Sequence, residues 1–145
     1  MKNVLKILEM ARAAGRPVDH IKIENGGWMA LVIEYLGVAG PHGYPVVSVA
    51  HYGEMNGDLM RDPDMEFELT DGITGELAMF PFSYRNDYMG VDRQVYGLND
   101  QGRAVTVNLS EKRDEESFAR TWDKNIADQG FVKKYEADLT EGVKA

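Results

Sequence analysis

From residue 21 to residue 108 the chain is written in short apolar–polar alternations broken by turn sequences, and helical spacing is confined to its two ends. Met65, Phe67 and Leu69 alternate with Asp64, Glu66 and Glu68, which is the period-two pattern of a strand with one buried and one solvated face. Ile21-Lys22-Ile23-Glu24 repeats it, and 28–36, 46–52 and 77–84 are strand-like, with shorter strands fitting 91–97 and 103–108. Asn25-Gly26-Gly27, Asn56-Gly57, Asp71-Gly72 and Asn99-Asp100-Gln101-Gly102 punctuate the series, and 37–44 is a glycine- and proline-containing connection. Strands so close in sequence pair with their neighbours. The expectation is therefore an α+β domain, an antiparallel β-meander of five to six strands with an N-terminal and a C-terminal helix packed on it. Alternating βα units and a glycine-rich phosphate loop are both missing, which argues against a Rossmann-type sheet.

The finer expectations follow from spacing. Residues 3–14 put Val4, Leu8 and Ala11 on one stripe with Leu5 and Ile7 beside it, and Gly15 and Pro17 end the helix. A three-residue loop after Glu24 pairs Ile23 with Met29 and Ile21 with Leu31, gathering Ile21, Ile23, Met29, Leu31 and Ile33 on one face. The apolar phase shifts around Pro81, which predicts a bulge or an edge position. A last helix spans 111–129, with Ser110 as N-cap and Glu111, Asp114, Glu115 and Glu116 near its positive end. Phe118, Trp122 and Ile126 form its buried face, and Gly130 with Phe131 closes it. Residues 1–135 read as one domain and 136–145 as a flexible, frayed tail.

The densest polar stretch is 51–68, where one histidine and six carboxylates flank Asn56-Gly57 and Asp62-Pro63. His51, Glu54, Asp58, Asp62 and Asp64 are donors a hard metal would take, and such a cluster would make a metal-binding or hydrolytic module. The calcium-loop pattern is not met, and His51 and Glu54, three apart, point to opposite faces of a regular strand. The competing reading is a hairpin. Asn56-Gly57 turns, Asp58 braces the turn, Asp62-Pro63 sets the entry into the next strand, Glu66 and Glu68 are its solvated face, and His51 is a hydrogen-bonded core residue. Arg85-Asn86-Asp87-Tyr88 is a second polar cluster, either a turn or a surface offering an arginine and a stacking tyrosine.

Composition closes several routes. No cysteine is present, so disulfides, thiolate nucleophiles and sulfur-ligated zinc are excluded. Sixteen basic against 24 acidic residues give a net charge of −8, the wrong sign for a broad nucleic-acid or anionic-lipid surface. The first residues lack a signal-peptide core and no apolar run has the length of a membrane span, so the expected location is cytoplasmic. Serine nucleophile elbows, zincin helices and kinase-like loops are absent. The chain reads as a binding protein rather than an enzyme, with no cofactor.

Val47-Ser48-Val49-Ala50-His51-Tyr52, Asn56-Gly57-Asp58-Leu59-Met60, Asp62-Pro63-Asp64-Met65-Glu66-Phe67-Glu68 and Arg85-Asn86-Asp87-Tyr88-Met89-Gly90, with Trp122, Asn125 and Gln129-Gly130-Phe131, resemble a domain of unknown function. That domain is common on phages, plasmids and integrative elements of Firmicutes. Met55 stands where family members often carry glutamine, which argues against a role for that side chain. The resemblance brings no catalytic residues. It implies a setting, an accessory protein of a mobile element. With the net charge of −8, the short single domain and the missing catalytic signatures, the expectation is a protein that binds a partner with a basic surface, in the manner of an anti-defence inhibitor or DNA mimic. The residues expected to bind are Asp58, Asp62, Asp64, Glu66, Glu68, Arg85 and Tyr88.

Overall fold

A computed structural model describes residues 1–71 and 75–144. In chain order these residues form α1 (Lys2–Ala13), β1 (His20–Ile23), β2 (Ala30–Ala39), β3 (Pro45–Met55), β4 (Asp58–Thr70), β5 (Ala78–Asn86), β6 (Val91–Gln94), β7 (Tyr96–Leu98), β8 (Ala104–Val107), α2 (Leu109–Asp128) and α3 (Phe131–Lys144). β1 to β6 make an antiparallel meander in sequence order, and β7 pairs with β8 in a separate ribbon. The α+β meander expected from the alternation is the fold. The turn at Asp71-Gly72 falls partly outside the described residues.

One sheet face carries Ile21, Ile23, Leu31, Ile33, Val47, Val49, Met65, Phe67 and Leu69 into a core shared with all three helices. From α1 come Val4, Ile7, Leu8 and Ala11, and from α2 Ala119, Trp122 and Ile126. The N-terminus of α1 has no cap of its own. Asp123 of α2 supplies one instead, accepting from the backbone N–H of Asn3 (3.1 Å) and Val4 (3.2 Å) and from the Asn3 side chain (3.0 Å). First-turn N–H groups have no partner within their own helix, so a carboxylate placed there satisfies them and favours the positive helix end.

Several expectations are corrected. Ile23 faces Leu31 and Ile21 faces Ile33, so the pairing slides by two residues from the expected register. A slide of two keeps every side chain on its face, but it releases Met29 (38 % exposed) from the core and lengthens the β1–β2 loop. The reason lies in Asn25, whose amide donates to the Gln129 carbonyl (2.7 Å) at the end of α2 instead of serving a tight hairpin. α2 starts earlier than expected, capped by Asn108, which accepts from Glu111 N–H (3.0 Å), not by Ser110. Gly130 adopts the expected left-handed conformation (φ 85°), yet the chain resumes at once as α3. That helix buries Phe131, Val132 and Tyr135 and packs Leu139 on the core, where a frayed tail was expected from residue 136. The strand expected over 91–97 divides at Val95 into β6 and β7. The bulge near Pro81 is present, Glu66 facing Ser83 while Phe67 faces Pro81. Among the described residues no helix is long and apolar enough to cross a membrane.

Candidate functional site

β3 and β4 are joined by Asn56 and Gly57, both left-handed (φ 54° and 85°), with Met55 opposite Asp58. This is a two-residue hairpin of the kind Asn-Gly favours. Asp62-Pro63, a cis pair, sits inside β4 at an irregularity in its pairing with β3 and does not begin the strand.

The two polar clusters seen in the sequence are one construction. Arg61 binds Asp87 through its backbone N–H (2.8 Å), Nε (2.9 Å) and Nη2 (3.1 Å), and Asp87 N–H returns a bond to the Arg61 carbonyl (2.9 Å). These contacts, with Arg61 first, hold the Asp87 carboxyl below its ordinary range. Asn86 is buried and donates to Asp62 (2.7 Å) while accepting from Met89 N–H (3.1 Å). Tyr88 lies over Gly53, where a β-carbon would come within 2.4 Å of the phenol oxygen. The β5–β6 turn thus braces the hairpin from one side.

The seven residues expected to bind divide into three groups. Asp64, Glu66 and Arg85 share the sheet face opposite the helices, with Asp64 directly facing Arg85. Asp64 accepts from Ser48 Oγ (2.6 Å), and Arg85 reaches Asp92 (3.1 Å). Burial raises the pKa of both Asp64 and Glu66, and the Asp64 charge raises Glu66 further. Asp58 and Tyr88 are exposed at the hairpin end. Asp62 and Glu68 are committed to structure.

Glu68 is the main correction. It is 3 % exposed, not solvated, and accepts from the backbone N–H groups of His42 (2.9 Å) and Tyr44 (3.2 Å) and meets His42 Nδ1 at 2.7 Å. Gly40 packs so tightly on it that a β-carbon would lie 2.5 Å from its Cγ. The alternation put Glu68 on the correct face. That corner of the face is covered by the 40–44 loop, which the β7–β8 ribbon holds through Ala104 N–H to the Pro41 carbonyl (2.9 Å), and a cavity of about 540 Å³ lies beside it, lined by His42, Tyr44, Phe80 and Tyr96.

The five residues weighed as metal ligands are dispersed. His51 is buried on the helical side, its ring 5.6 Å from Trp122 and 5.5 Å from Phe131, with Nδ1 at 3.1 Å from the Met29 carbonyl. Burial lowers its pKa. Glu54 and Asp58 flank the turn in solvent, and Asp62 and Asp64 are engaged as described. Among the described residues no three His, Asp or Glu side chains are grouped to hold a metal ion.

Sequence reasoning missed the apolar surface around the hairpin end. Leu59 (64 % exposed) pairs with Glu54 on one side, and on the other Met29 and Tyr88 converge over Gly53, with Trp28 (54 % exposed) preceding Met29. The exposed acids Glu24 and Glu54 line one cleft with Leu59, and exposed Asp58 precedes Leu59 in β4. The available signal was Leu59 itself, a large apolar residue two positions after an Asn-Gly turn.

A family model described as Domain of unknown function (DUF6908) matches residues 2–132. No curated protein and no solved structure matches the chain.

Proposed function

We propose, from the premise that the chain belongs to the DUF6908 family, that it is a small acidic, non-enzymatic accessory protein of a mobile genetic element that works by protein–protein binding. Its hairpin end docks on the basic surface of a host defence or nucleic-acid-handling protein and blocks it. The observation that carries this reading is exposed Leu59 on a hairpin already braced by Arg61–Asp87 and Asp62–Asn86, with exposed Met29 and Tyr88 meeting over Gly53 on its other side and Trp28 next to Met29 in the β1–β2 loop. Large apolar and aromatic side chains inside a polar rim are what interface centres are made of. A rigid scaffold reduces the ordering that binding would otherwise require. Glu24, Glu54 and Asp58 at the rim, with Asp64 and Glu66 on the adjoining face and a net charge of −8, favour a basic partner. The mobile-element setting comes from the family resemblance of the hairpin sequences.

The test is affinity capture from a native host at low salt, with wild type beside Leu59→Ala and Tyr88→Ala. A specific partner whose affinity falls roughly tenfold or more in these variants is the expected result, since truncating an interface anchor removes about 2 kcal/mol or more. Absence of any protein partner, or a partner indifferent to both variants, overturns the proposal.

A further inference from the structure

A second carboxylate is buried as fully as Glu68 but without its donors. Glu115, on α2, is 2 % exposed, and neither of its oxygens accepts a hydrogen bond from any N–H or O–H group. Buried polar groups in folded proteins are nearly always paired, and an exception needs a reason. Burial, followed by a side-chain hydrogen bond with Glu111 and the charge of that carboxyl, pushes its pKa up to about 9. At neutral pH it therefore holds its proton, which the Glu111 carboxylate accepts, and no N–H group donates to it.

Glu115 forms part of the wall of a cleft of about 280 Å³ between β5–β6 and the start of α2. Tyr84 and Phe118, ring centroids 5.1 Å apart and edge-on at 79°, supply an aromatic wall, and Met89, 70 % exposed, adds an apolar one. The charged groups facing Glu115 are Glu111 and Asp114 from its own helix and Arg93 from β6, with the Tyr84 phenol on β5. With Glu115 protonated, Glu111 and Asp114 still outnumber Arg93 and leave the cleft negative, and ionisation of Glu115 makes it more so. Aromatic rings and carboxylates together receive cations. The three acids are not grouped to hold a metal ion, and the apolar walls suit a carbon chain.

We propose that this cleft binds a single organic cation with an apolar stem, an alkylammonium or alkylguanidinium group, its charge received by Glu115 and its stem lying against the Tyr84–Phe118 pair. The oxygens are closed from solvent, so entry turns Met89 outward and rotates Glu115 toward the cleft. Binding ionises Glu115 and expels its proton to solvent. Met89 of the cleft follows Tyr88 of the hairpin-end interface, but the two share no lining residue, and the cleft stands or falls separately from that interface.

The experiment titrates the folded protein with n-butylguanidinium and n-butylammonium, using n-pentanol as the uncharged control, magnesium chloride as the metal control and a capped arginine tripeptide to distinguish a free cation from a protein side chain. Chemical shifts of the Tyr84 and Phe118 rings report occupancy. Both cations should give saturable shifts that pentanol and magnesium do not. Butylguanidinium keeps its charge throughout, so its affinity should rise about tenfold per pH unit from neutrality and level off near pH 9, because each unit below the Glu115 pKa lowers the ionised fraction tenfold. Tighter binding of the tripeptide than of butylguanidinium identifies a protein side chain as the source, and the reverse a free cation; either supports the site. Glu115→Gln, which keeps the shape, should abolish the shifts and the pH slope, and Glu115→Leu should do the same in a folded protein. Saturable binding unchanged in Glu115→Gln, a flat pH dependence, binding that appears only in Arg93→Ala, or no saturable shift from either cation overturns the site.

Discussion

Glu68 and Glu115 are buried almost equally, at 3 % and 2 % exposure, yet their surroundings are opposites. At the β2–β3 corner the fold brings two backbone N–H groups and an imidazole to Glu68 and leaves a glycine where a side chain would collide with it. Beside β5 and β6 the fold brings Glu115 aromatic rings, two further acids and Arg93, with no donor bonded to its oxygens. Burial by itself does not make a carboxylate structural. The supply of donors decides, since an ionised carboxylate is tolerated away from water only where hydrogen bonds replace hydration.

The largest effect should come from removing the satisfied member. Glu68→Ala leaves two loop N–H groups without their acceptor, and a loss of about 3 kcal/mol is expected in denaturant unfolding, at about 1–3 kcal/mol for each stranded polar group. Glu68→Gln should recover part of it. A loss below about 1 kcal/mol would mean that the 40–44 loop is held by the β7–β8 ribbon alone. Gly40→Ala should cost about 1–3 kcal/mol by forcing a β-carbon onto Glu68. Combined with Glu68→Ala it should be less than additive, because the two side chains share one space.

The unsatisfied member should behave with the opposite sign. Glu115→Leu is expected to stabilise by about 1 kcal/mol, as replacement of an unpaired buried polar group by an apolar one often does. Glu115 also gives the comparison a pH signature. Its folded pKa, about 9, lies above its ordinary value of 4.5, so between these values the folded state binds the extra proton. Stability contributed by this group is present at low pH and is lost as pH rises through that window, levelling off above it. Asp87 has the reverse sign, its pKa being depressed by Arg61. Its contribution is present above the ordinary carboxylate range and fades as acid protonates it. Unfolding midpoints from pH 5 to pH 9 should fall for wild type and fall less for Glu115→Leu. Equal slopes would mean that Glu115 is already ionised.

Smaller effects belong to the exposed hairpin. Asp87→Asn should cost at most about 1 kcal/mol, since the Arg61 pair is open to solvent and screened by salt. Asp64→Asn with Glu66→Gln should change stability by about 0.5 kcal/mol or less, since burial already works against the charge that the substitutions remove. In complex with a basic partner this pair should slow association more than it speeds dissociation, and the difference should shrink as salt is added. An on-rate that ignores both salt and the double substitution would remove the acidic face from the recognition surface.

Alternation along a strand reports which face a residue occupies, and it did so correctly for Glu68, which lies opposite Phe67. It carries no information about what later segments lay across that face, and β7, β8 and the 40–44 loop are what bury this carboxylate. Met29 failed in the same way. Its parity was right, and the two-residue slide depended on Asn25 being used by the end of α2. Glu115 was legible in part, because residues 115, 119, 122 and 126 fall on one helical stripe and an acid there signals an unusual environment; its place near the helix start suggested a solvent role instead. Val132, Tyr135 and Leu139 carry helical spacing beyond Gly130, and that pattern went unread after a strong stop signal. The candidate interaction surface was legible as two clusters. The bonds joining Arg61 to Asp87 and Asp62 to Asn86 link residues about 25 positions apart, and no local pattern encodes them.

Asp123 ties the first helix to a residue 120 positions later. During synthesis α1 leaves the ribosome about 120 residues ahead of Asp123, and it must wait for that whole interval before its leading N–H groups find their acceptor. Domains generally fold as units while the amino-terminal portion emerges first. Here a helix made before every strand of the sheet is therefore among the last elements to be secured. A ribosome stalled before residue 123 would display an uncapped, fraying α1 beside a largely finished sheet.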